Sequence, residues 1–97
     1  MSEKVSKFKI WKCITEMFFQ IPPDYRNLFP SPSTPFILNT KDSVYPKIET
    51  RIDKAGNIGA NLKPWFRQHL GQIERGTLFI TIIEHDNKRE FYLEIVK

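Results

Sequence analysis

Ninety-seven residues with eight Phe, three Tyr and two Trp form a single domain, 1–97, large enough to bury a core without staples. The lone Cys13 excludes an internal disulfide and suits a reducing compartment. A formal charge of +4 favours anionic partners without naming one, and no stretch approaches the roughly 18 apolar residues of a membrane span.

The start, Met1 to Lys7, is charged but has no apolar run behind it, so no secretion signal is expected. That leaves a soluble intracellular chain, cytoplasmic or, in a eukaryote, nuclear. Phe8 and Ile10 alternate with Lys7, Lys9 and Trp11, the period of a half-buried strand. Cys13 continues that run and reads as a packed thiol. A polar link at Thr15 and Glu16 leads to a second strand, Met17 to Ile21, which Pro22 and Pro23 stop. Asp24 to Phe29 is a brief helix with proline in its first turn.

Pro30 to Pro35 is a loop, Phe36 to Leu38 a strand, and Lys41 to Ser43 a turn. Val44 to Ile52 reads as a longer strand, with Ile48, Thr50 and Ile52 on one face and Lys47, Glu49 and Arg51 on the other. Asp53 to Asn57 is a turn in which Gly56 and Asn57 tolerate positive φ. Ile58 to Ala60 is short and extended. Asn61 then reads as the cap of a helix bearing Leu62, Trp65, Phe66 and Leu70 on its apolar side, with Pro64 in the first turn and Gly71 as a left-handed stop. Thr77 to Ile83 and Glu90 to Val96 form a closing hairpin. About seven short strands and two short helices, without long crossovers, predict a mostly β (α+β) fold curled into a seven-stranded open pseudobarrel.

This order, with Phe8-Lys-Ile-Trp-Lys-Cys-Ile-Thr, Ile21-Pro-Pro-Asp-Tyr-Arg-Asn-Leu-Phe-Pro, Leu62-Lys-Pro-Trp-Phe and Ile73-Glu-Arg-Gly-Thr-Leu-Phe-Ile, resembles the DNA-binding pseudobarrel family. That family includes the plant B-three domains and the target-recognition domains of some restriction endonucleases. The likeness runs from about Lys7 to Lys97. It departs from the family pattern at Pro64, where a glycine usually precedes the tryptophan, and at Thr77, where an aspartate usually follows the turn glycine.

The resemblance implies two arms that clamp the DNA major groove, here Lys12 to Phe19 and about Arg51 to Asn61. It also implies a non-catalytic recognition module for double-stranded DNA, either part of a restriction-modification enzyme or a small regulator. No nuclease domain is expected beyond the last strand. On those positions, Arg51, Asn57 and Asn61 are the side-chain types that pair bidentately with guanine or adenine edges. Lys9, Lys12, Lys54 and Lys63 suit phosphates, Thr15 suits either role, and Glu49 suits a cytosine amino group or a pairing with Arg51.

The residues alone also permit plainer roles. Lys47, Glu49 and Arg51 read equally as a solvated mixed-charge face, Asn57 as a turn residue, Asn61 as a helix cap, and Trp65 and Phe66 as core. Trp11, between two lysines, is either packed on a neighbouring strand or a stacking surface. No catalytic constellation is legible, because His69 and His85 lie far apart and no metal-ligand spacing exists. No cofactor is implied, and the oligomeric state is left open. The alternatives to duplex DNA are a protein- or peptide-binding barrel and a binder of single strands or RNA.

Overall fold

Sheet pairing dominates a computed structural model of the chain, which describes residues 3–97. Met1 and Ser2, the start of the stretch read for a secretion signal, lie outside the described residues. The strands are β1 (Glu3–Cys13), β2 (Phe18–Gln20), β3 (Phe36–Asn39), β4 (Lys47–Thr50), β5 (Asn57–Ile58), β6 (Thr77–His85) and β7 (Lys88–Val96). A 3₁₀ helix spans Pro23–Leu28, and two α-helices, α1 (Lys63–Gln68) and α2 (Leu70–Arg75), precede β6.

Among the described residues, seven strands form one sheet in the order β4-β3-β7-β6-β1-β2-β5. Neighbours are antiparallel except β3 and β7, which run parallel through Leu38↔Phe91 and Asn39↔Tyr92. The two sheet ends then meet through an antiparallel bridge, Ile52↔Ile58, so the sheet nearly closes. The result is a seven-stranded open pseudobarrel. Curling in this way shelters backbone groups that a flat edge would expose.

The core follows from pleat alternation. Phe8 and Ile10 of β1, Leu78, Ile80 and Ile82 of β6, and Phe91 and Leu93 of β7 all point inward. Ile48, Thr50 and Ile52 are buried as their spacing predicts. Two aromatic groups fill the barrel. Phe8 stacks on Tyr25 at 4.1 Å, and Phe91 lies 5.1 Å from Phe29 and 4.8 Å from Phe36. Phe19 lies 4.9 Å from Phe66 and 5.7 Å from Trp65, which anchors α1 beneath β2. Burying each such ring contributes about 1.5–3 kcal/mol.

Several local expectations give way to tertiary contacts. The strand read over Val44 to Ile52 is regular only from Lys47 to Thr50. Before it, the Asp42 carboxylate accepts the Val44 and Tyr45 N–H groups at 3.1 and 2.6 Å, which curls the chain into a turn. The single helix read from Asn61 to Gly71 is two. It breaks at His69, whose φ of −114° and ψ of 19° leave the helical region, and Gly71 sits inside α2 instead of ending it. Nor does Asn61 cap α1, because it has a φ of 63° and turns its side chain toward β4. Trp11 is not packed away: its side faces out of the sheet, half-exposed at 50%.

Candidate nucleic-acid interface

The first predicted arm is the tight turn between β1 and β2. It reverses at Met17, whose φ of 60° is uncommon for a residue with a Cβ. The second arm follows β4 and carries the Asp53–Asn57 turn. There the Asp53 carboxylate accepts the N–H groups of Ala55 and Asn57, both at 2.9 Å. Gly56 has a φ of 84°, and an added Cβ would lie 2.1 Å from Nε of Arg26. That Nε donates to the Ile21 carbonyl at 2.9 Å, so the arm rests on a fixed guanidinium.

The sheet brings the arms together. Phe19 pairs with Ile58 and Gln20 with Asn57, which zips the root of one arm to the root of the other. Glycine at 59 permits the approach, since a Cβ there would sit 3.1 Å from Phe18 Cβ. Residues of both arms consequently line one cleft of about 420 Å³, with Glu16, Met17 and Phe18 on one wall and Arg51, Asp53, Asn57 and Gly59 on the other. Arg51 is exposed, while Asn57 is half-buried with its Oδ1 shielded and lacking a hydrogen-bond partner.

The predicted residues fall into three groups. Arg51 and Asn57 line the cleft, and Lys54 stands exposed on the turn beside it. Thr15 and Lys63 border a second depression of about 420 Å³, which shares Glu16 and Met17 with the first. Arg67, which the sequence reading missed, lines it too. Its signal was helical spacing from Lys63, a pattern read only for the apolar side of that helix. Lys9 lies apart, exposed on the outer face of β1 opposite Phe79.

Two residues have structural duties. The Lys12 ammonium donates to the carbonyls of Ile73 and Gly76, the latter at 2.8 Å, so it neutralises the C-terminal end of α2. A phosphate contact would require that tie to break. Asn61 Nδ2 donates to the Glu49 carbonyl at 2.8 Å and staples the entry of α1 to β4. Glu49 is exposed on β4 and makes no ion pair with Arg51. Among the described residues, Arg51, Lys54, Lys63 and Arg67 form no ion pair at all.

The titrating groups with resolved shifts lie elsewhere. Burial raises the Asp42 carboxyl, but the Tyr45 N–H and the His69 ring at 3.0 Å outweigh it and hold the group below its ordinary value. Glu94 is lowered chiefly by the Lys7 ammonium at 2.9 Å, with Lys41 assisting at 3.6 Å. Among the described residues no group of three or more His, Cys, Asp or Glu side chains is placed to hold a metal ion. Nor, among the described residues, is any helix long and apolar enough to cross a membrane.

No family model and no curated protein matches the chain. Among solved structures, it is similar to a hypothetical Arabidopsis thaliana protein, with a TM-score of 0.52 and 14% identity over 97% of this chain and 90% of the other. At that identity the likeness concerns the fold.

Proposed function

We propose that this pseudobarrel binds double-stranded DNA, sequence-specifically, by holding the major groove between its two arms. The reading rests on the cleft that both arms line, in which an exposed, unpaired Arg51 stands with Asn57. Arg51 reaches guanine O6 and N7 with two donors, and Asn57 pairs with adenine only once its side chain turns to bring the shielded Oδ1 into the cleft. Lys54, at the tip of the second arm, meets a phosphate and carries no sequence information. Thr15, at the tip of the first arm, donates to phosphate or base. The resemblance to B-three domains and to restriction-enzyme recognition domains supports the same use of the arms.

In this reading the chain performs no bond chemistry. It acts as a recognition module, in a restriction-modification enzyme or as a small intracellular regulator. The test is selection from a randomised duplex pool at physiological salt, followed by reading the enriched sequences. A short enriched motif is the expected result. Recovery without a motif, collapsing as salt rises, would reduce the activity to phosphate attraction. Recovery of nothing would overturn the reading in favour of a protein-binding barrel.

A further inference from the structure

The second depression, beside α1, holds cations that the arms alone do not explain. Lys63 and Arg67 stand one helical turn apart, on the same exposed side of α1. Like charges at this spacing repel each other and weaken a helix. Here no carboxylate within ion-pair distance relieves them. Glu16 borders the same depression without pairing to either. Thr15 adds a hydroxyl donor from the tip of the first arm.

The helix and the arm that line this depression are tied together at their roots. Lys12, at the base of the first arm, bonds the last carbonyls of α2, and Trp65 and Phe66 pack α1 against Phe19 of β2. An anion lodged between Thr15, Lys63 and Arg67 therefore meets donors carried on backbone elements that are fixed relative to each other. The depression also adjoins the arm cleft through Glu16 and Met17, so one extended polyanion can occupy both.

We infer that Lys63, Arg67 and Thr15 form a phosphate-binding flank, which holds a backbone phosphodiester of the duplex just outside the groove that the arms grip. The inference rests on the duplex reading above and extends its contact surface from the arms onto α1. Arg67 and Lys63 supply charge there, so they strengthen every sequence alike.

The experiment measures affinity of the intact chain for its selected duplex and for random duplex across a salt series. In Lys63→Gln/Arg67→Gln, the steepness of log affinity against log salt should fall by about 1, equally for both duplexes. The charge-conserving Lys63→Arg/Arg67→Lys pair should retain the original slope. Arg51→Ala serves as the control for the arms. If it erases preference for the selected duplex while the double glutamine variant keeps the wild-type slope, the flank is wrong and the arm reading stands. If the unaltered chain binds no duplex, both fall.

Discussion

The two ends of the barrel are both charged, but they dispose of that charge differently. The ends of β1 lie about 30 Å apart at roughly 3.3 Å per residue, with the β6–β7 hairpin at one and the arms at the other. At the hairpin end the charges answer one another. His85 sits between Glu3 at 3.2 Å and Glu90 at 3.4 Å, and Arg89 meets Glu84 at 3.5 Å while donating to the Leu28 carbonyl. At the arm end Arg51, Lys54, Lys63 and Arg67 have no such partners among the described residues.

The hairpin end also has the larger hollow, about 800 Å³, lined by Phe36, Ile37, Phe91, Glu84 and Arg89. Size and chemistry thus point to different places. The larger hollow is rimmed by charges of both signs that are already satisfied in part. The smaller arm cleft holds groups whose hydrogen-bonding capacity is unused. For recognition of an anionic polymer, unused donors are the better guide.

The largest test of this contrast removes the packing beneath the arms. Phe66→Ala should cost about 3–5 kcal/mol of stability, because the ring is fully buried against Phe19 and Trp65. Chemical denaturation would measure it, and a loss under 1 kcal/mol would mean that α1 does not anchor the arm end.

Gly56→Ala acts on one arm. It combines a left-handed backbone with displacement of Arg26, and should cost about 1–3 kcal/mol. If its denaturation midpoint matched the unaltered chain, the second arm would not rest on that guanidinium.

Arg51→Ala should weaken selected duplex more than random duplex, by about 1–3 kcal/mol of discrimination, whereas Lys54→Ala should weaken both equally. Equilibrium titrations with the two duplexes decide between these patterns. No change in either variant would refute the arm assignment.

Acid provides a milder probe. Asp42 and Glu94 have folded pKa values below their ordinary ones, so the unfolded chain takes up these protons first as pH falls. Their stabilisation is present above the ordinary carboxylate range and fades as pH drops through and below it. Asp42→Asn should flatten the fall in denaturation midpoint over that acid window. An unchanged acid profile would deny Asp42 its part.

At the hairpin end the expected effect is smallest. Arg89→Ala should change stability by about 1 kcal/mol, since its 3.5 Å pair with the half-buried Glu84 is only partly exposed, and should leave duplex affinity alone. A clear loss of duplex affinity would erase the distinction between the two ends.

Much of the fold was legible in the chain because strand alternation is local. Phe8 and Ile10, or Ile48, Thr50 and Ile52, show their common side through period-2 spacing alone. The reversal at Asp53 to Asn57 also followed from its turn residues, whereas the two arms came from the family resemblance. Other assignments failed where one residue has two local options. Asn61 suits both a helix cap and a left-handed turn, and the Glu49 carbonyl, 12 residues earlier, selects the turn. Gly71 suits a helix stop, yet the helical bonds resume after His69 because Ile73 can be buried beneath the sheet.

The sequence by itself determined which residues face inward, where the chain reverses, and that the fold is mostly β, because pleat periodicity and turn chemistry act over a few residues. Tertiary structure decided that Ile52 meets Ile58 to close the sheet, that Lys12 serves α2, and that Arg67 joins Lys63 and Thr15 at one depression. Those outcomes depend on how the strands curl and on where distant carbonyls come to rest, and no local pattern encodes such distances.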